Sequence, residues 1–173
     1  MRSVWHRIES WLAGNAIEVL NSLFPGATDQ EIQQAEALLG ISFPEDLKDS
    51  YRIHNGQREN TFSLIYGGEL LSLENILGDY QLWQEVSDGV NWNQYWIPLT
   101  RDVGGNHCCL DLDPTRGSEV GRIIFINHEI IPEIEAVLAD SFRSWLEEFA
   151  NELEKEIYIF SEEYKGLWER EEV

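Results

Sequence analysis

"YWIPLTRDVGGNHCCLDLDPTRGSEVGRIIFI", residues 95–126, decides the fold. Three apolar runs, "YWIPLT", "HCCLDL" and "VGRIIFI", are parted by "RDVGGN" and by "DPTRGSE". Those separators are rich in Gly, Asp, Asn and Pro, the residues that reverse a chain. Short apolar runs in close succession across such turns predict an antiparallel meander. Alternation along the middle run puts His107, Cys109, Asp111 and Asp113 on one face. Cys108, Leu110 and Leu112 fall on the other, which reads as the core face, with Cys108 as a small buried hydrophobe.

The first of these faces raises the question of chemistry. A histidine, a thiol and a carboxylate suggest a metal centre, but i, i+2 neighbours on a straight strand stand roughly 7 Å apart. That exceeds what one ion with ~2 Å bonds spans without further ligands, and no second Cys/His cluster exists to supply them. A Cys/His nucleophile fits no better, because residues 107 and 108 point to opposite faces and Cys109 has no local cation to lower its pKa. Asp113, just before Pro114, reads as turn chemistry, and Asp111 as either the same or a solvated side chain. The glycine turns lack the Gly-Lys-Ser/Thr of a phosphate loop. No catalytic residue, metal ligand or cofactor is therefore assigned.

Outward from the meander, the chain begins with helical spacing from about Val4 to Leu23, weakened at Gly14 and Asn15. Thr28 and Glu31 form a capping box for a helix that Gly40 terminates. Pro44, followed by Glu45 and Asp46, starts another, ended by Asn55-Gly56. "TFSLIYGG" reads as a short strand and "ELLSL" as a weaker one. Residues 73–86 resume helical spacing, and a long helix is predicted from about Ile134 to Glu156. The remainder, 157–173, is an acidic extension, either an appended helix or a frayed tail. Helices covering one antiparallel sheet make this an α+β fold. Length suits a single domain over 1–173, with its core at about 25–150 and an extra N-terminal helix in 1–24.

Charge narrows the partner. Thirty-two Asp and Glu against twelve Lys and Arg give a formal net charge of −20. Phosphate backbones and anionic lipid surfaces both need cations, so neither nucleic acid nor membrane is a direct partner. The apolar runs are too short for a membrane span, and the start lacks a signal-peptide core. Two cysteines form no disulfide framework, which suits a cytoplasmic protein. Between Arg58 and Arg101 there is no Lys or Arg at all. That stretch holds Glu69, Asp79, Trp83, Glu85, Asp88 and Trp92, the candidate surface for a cationic protein partner.

Three segments carry a resemblance: "ATDQEIQQAEALLGISFPEDLKDSYRIHNGQ", "WIPLTRDVGGNHCCLDLDPTRGSEVGRIIFINHE" and "VLADSFRSWLEEF". In combination they resemble the Smi/Knr family of the SUKH superfamily over about residues 25–150. The resemblance implies the SUKH fold, with "CLDLDP" as a core strand and hairpin, and no catalytic activity. It implies one of two protein-binding roles. The leading expectation is an immunity-type protein that neutralises a cognate, basic toxin. The alternative is a regulator or scaffold of the cell-wall-assembly type that binds an enzyme or signalling partner. The adjacent cysteines depart mildly from the family pattern and leave Cys109 without a role.

Overall fold

A computed structural model describes residues 1–59, 61–86, 92–131 and 133–170. Helix α1 (Arg2–Asn15) buries Val4, Trp5, Ile8 and Leu12, one stripe at helical spacing. The helix expected to run on to Leu23 instead breaks at Ala16 (φ −153°), and α2 (Ile17–Ser22) follows. In α3 (Asp29–Leu39) the predicted capping box is complete. Thr28 Oγ1 accepts from Glu31 N–H at 3.2 Å, while Glu31 Oε2 accepts from Thr28 N–H at 2.7 Å. Gly40 ends α3 in the left-handed conformation, φ 69°. Helix α4 (Glu45–Tyr51) starts after Pro44, and the Tyr51 hydroxyl donates to the Leu71 carbonyl at 2.7 Å.

The centre is the expected meander. Strands β2 (Trp96–Pro98), β4 (His107–Asp111), β5 (Arg122–Ile126) and β6 (Ala136–Ala139) form an antiparallel sheet in the order β2-β4-β5-β6. A 3₁₀ segment (Pro114–Glu119) links β4 to β5. Between β2 and β4, the short β3 (Thr100–Arg101) peels away to pair with β1 (Glu69–Leu70). The strand expected in "TFSLIYGG" is reduced to isolated bridges, Ser63 to Gly166 and Ile65 to Gly68. Helix α5 (Leu73–Val86) matches its prediction and packs beside β2.

Two expectations at the C-terminal end are corrected. The long helix from Ile134 is in fact strand β6 followed by α6 (Phe142–Glu154). Ser141 caps α6 by accepting from Ser144 N–H at 3.1 Å, and residues 136–139 complete the sheet against β5. Sheet pairing has overridden an apparent helical period. Residues 157–170 are neither helix nor frayed tail. They contain a hairpin, β7 (Tyr158–Ser161) and β8 (Gly166–Glu169), with Tyr158 and Leu167 in the core. Ser63 secures it, donating its N–H to Lys165 O at 2.9 Å and accepting from Leu167 N–H at 3.0 Å.

The sheet has apolar packing on both sides. Cys108, Leu110 and Ile123 face the main core beneath the helices. Cys109, Ile124 and Ile126 face a second cluster with Trp92 and Trp96, against which Trp83, Ile131 and Ile134 pack. No described helix is long and apolar enough to cross a membrane.

Candidate functional site

The face of β4 that raised the question of chemistry is covered by that second cluster. His107 is 2% exposed and Asp111 is fully buried. The His107 Nδ1–H donates to the Thr100 carbonyl at 2.7 Å, and Nε2 accepts the Trp83 indole N–H at 2.8 Å. Only the neutral tautomer protonated at Nδ1 satisfies both bonds. Burial holds the imidazole below its ordinary range, outweighing the opposing effects of the Thr100 bond and of Asp79. Trp83 and Trp92 stack at 5.3 Å, nearly parallel, and both meet the imidazole edge-on.

The thiols are equally enclosed. Burial pushes Cys108 up to about 12 and Cys109 well above the ordinary thiol range. Neither is a thiolate at neutral pH, so nucleophilic or metal-binding use would first require exposure. Cys109, which the sequence left without a role, is core packing between Trp92, Trp96, Ile124 and Ile126. Among the described residues no group of three His, Cys, Asp or Glu is placed to hold a metal ion.

Asp111, expected to accept backbone hydrogens or to sit in solvent, does the first while fully buried, and is also an internal counter-ion. Arg116 Nε and Arg122 Nε each lie 3.6 Å from its Oδ2, and its Oδ1 accepts from Asp113 N–H at 3.1 Å. Asp113 does perform turn chemistry. Its Oδ1 accepts from the Thr115 hydroxyl at 2.7 Å and N–H at 2.9 Å, and Oδ2 accepts from Asn93 at 2.9 Å. The Thr115 hydroxyl bond is the largest cause that holds this carboxyl below its ordinary value, followed by the Thr115 amide and Asn93.

The six residues proposed for a partner surface divide. Glu69 on β1 and Asp79 on α5 converge on Arg101, at 4.0 Å and 2.8 Å. The residue that ends the cation-free stretch in sequence thus returns to neutralise part of it in space. Trp83 is half-buried and Trp92 is 3% exposed, so Trp92 presents almost no surface in this structure. Glu85, at the outer end of α5, is exposed beside Leu82 and Val86, themselves 53% and 67% exposed. Asp88 lies outside the described residues. Sequence reasoning missed Arg101 as a site residue, because it was read only as the boundary of the gap.

Comparison with known proteins places this arrangement. Curated relatives include the cell wall assembly regulator SMI1 of Saccharomyces cerevisiae, 25% identical over 87% of this chain and 40% of its own length. The cell wall biosynthesis/cell cycle regulator smi1 of Schizosaccharomyces pombe is 25% identical over 94% of this chain and 38% of its own. F-box only protein 3 of Mus musculus is 28% identical over 58% of this chain and 21% of its own. The chain spans about two fifths of the length of the two fungal regulators. The SMI1 / KNR4 family (SUKH-1) matches residues 26–148, and this chain belongs to that family.

Proposed function

We propose that this chain is a protein-binding regulatory module, which docks on another protein and alters its activity without catalysing a step of its own. The observation that carries the reading is the family membership, together with relatives named as regulators of cell wall assembly, cell wall biosynthesis and glucan synthesis. Those names favour the regulator over the toxin antidote that led the expectation from resemblance and charge. The burial of His107, Cys109 and Asp111 is consistent with it, since these groups are occupied in holding the sheet.

Charge defines the class of partner. A net charge of −20 steers a basic surface toward this one and repels acidic competitors. The outer end of α5, with Glu85 and the exposed Leu82 and Val86, is a contact surface of carboxylate beside apolar area. Glu69 completes the proposed patch, while the buried Asp79 and Trp92 and the half-buried Trp83 hold its shape from beneath. A reaction partner or substrate is not required.

Affinity capture with the tagged chain at low and high salt, read by mass spectrometry, tests this. Capture of an enzyme or signalling protein of cell-envelope synthesis, weakened by salt and by Glu85→Lys, is the expected result. Capture of one basic, toxin-like domain would restore the antidote reading. A partner held equally well by Glu85→Lys would remove α5 from the interface.

A further inference from the structure

The C-terminal hairpin closes one side of a cavity away from the Trp83–His107 cluster. The cavity measures 260 Å³ and lies between Phe125 of β5, Leu138 of β6, the Tyr66-Gly67 turn, and Tyr158, Trp168 and Glu169 of the hairpin. Four of these residues are aromatic, one is a carboxylate, and no Lys or Arg lines the space.

Tyr66 is held there at a conformational cost. Gly68 N–H donates to Ile65 O at 3.0 Å across a tight turn whose central residues, Tyr66 and Gly67, both have positive φ (50° and 71°). Such turns favour Asn, Asp or Gly first, because a side chain's Cβ in the left-handed region crowds the following carbonyl oxygen. Its ring stacks on Trp145 at 6.0 Å, nearly parallel.

The charges that act on the Tyr66 hydroxyl are all negative. Glu148 and Glu152 project from α6, and with Glu169 all three act on the Tyr66 hydroxyl, raising its pKa in addition to the larger effect of burial. Among the described residues none of these three glutamates is in an ion pair. Glu152 Oε2 is sealed from solvent with no hydrogen-bond partner. Burial, then Glu148 and Glu169, holds the Glu152 carboxyl above its ordinary value, and Lys155 offsets this only in part.

We propose that this aromatic and carboxylate-rimmed cavity receives a lysine or arginine side chain of the partner protein. Aromatic faces attract a desolvated cation, and apolar walls accept the methylene stem behind it. Glu169 at the wall, with Glu148 and Glu152 around Tyr66, supplies counter-charge that Lys155 offsets only in part. The proposal deepens the regulatory reading and rests on it, in that the cation belongs to a protein.

The test is an NMR titration of the full chain with three N-acetyl, C-methylamide amino acids: lysine, arginine and norleucine. Saturable movement of the Trp168 indole N–H with lysine or arginine, and none with norleucine, is expected. Glu152→Gln combined with Glu169→Gln should weaken that binding by at least roughly threefold. These nearly isosteric changes leave the hairpin folded, whereas Trp168→Ala can unseat it. No saturable shift with either cation, equal binding of norleucine, or an unaffected double variant would overturn the proposal. A captured protein partner bound equally by the double variant would overturn it too, while leaving the regulatory module intact. Binding of the cationic amides with no protein captured would support the cavity and count against the module.

Discussion

The buried imidazole of His107 makes stability depend on pH in a way that can be calculated. Its Nδ1–H is committed to Thr100 O at 2.7 Å and its Nε2 lone pair to the Trp83 indole at 2.8 Å. A proton on Nε2 would set two N–H groups against each other and place a buried cation beside the stacked Trp83 and Trp92 rings. Asp79 and Asp102 favour that cation and Arg101 opposes it, but burial dominates and the folded pKa lies below 6.5. As pH falls through 6.5 the unfolded chain takes up this proton first. The contribution of the neutral imidazole is therefore complete above that pH and is lost between 6.5 and the lower, folded value. The limiting slope is about 1.4 kcal/mol per pH unit, which integrates to about 1 kcal/mol between about pH 6.5 and 5.5 if the imidazole stays neutral throughout. Urea unfolding of the wild type and of His107→Gln at about pH 7.5, 6.5 and 5.5 isolates the effect, because every other titrating group is shared. The wild type should lose up to that much more than the variant over the last step. Equal pH dependence in the two proteins would refute the tautomer assignment and the hydrogen bond to Trp83.

Two further perturbations test the frame around that site. Asp111→Asn removes the buried carboxylate that faces Arg116 and Arg122, although Arg122 keeps Glu119 at 3.0 Å. It should cost about 3 kcal/mol by urea unfolding, at the low end for a buried pair because Arg116 is 36% exposed. Gly56→Ala puts a Cβ 2.3 Å from Ser72 N and 2.5 Å from Leu71 O, at a φ of 72°. Left-handed strain and overpacking together should exceed about 3 kcal/mol, which thermal unfolding would read as a fall in Tm of roughly 6 °C or more.

Local signals were legible where the physics is local. Thr28 and Glu31 predict their own capping box, Gly40 its own cap, and the turns at 101–106 and 113–119 predict the meander from their composition. What sequence could not show was the second layer over β4. His107, Cys109 and Asp111 alternate like an exposed face, yet Trp92, Trp96 and Trp83, from segments separated in sequence, lie over that side. The segment from Ile134 failed for a related reason, since its apolar spacing is compatible with a helix and only the open edge of β5 makes it a strand. The cation-free stretch illustrates the same limit in electrostatics. Glu69 and Asp79 look unpaired along the chain, and the β1–β3 pairing is what brings Arg101 between them.

This division suggests where partner choice resides. A central sheet packed on both sides is a rigid platform, because the side chains of β2 and β4 and most of those of β5 are already held by neighbours. Its histidine, thiols and Asp111 are bound into that packing and cannot be varied without loss of stability. The freedom to change contacts lies instead at the outer end of α5 and at the C-terminal hairpin, where side chains can differ without disturbing β4. The hairpin matters most in this respect. The family match ends at residue 148, while Tyr158, Trp168 and Glu169 of the proposed cation pocket lie beyond it. Tyr66, Phe125 and Leu138 lie within the matched span. A pocket assembled from both parts would use the common SUKH frame to position a wall supplied by this chain's own C-terminal segment, so that the fold is shared while the partner is not.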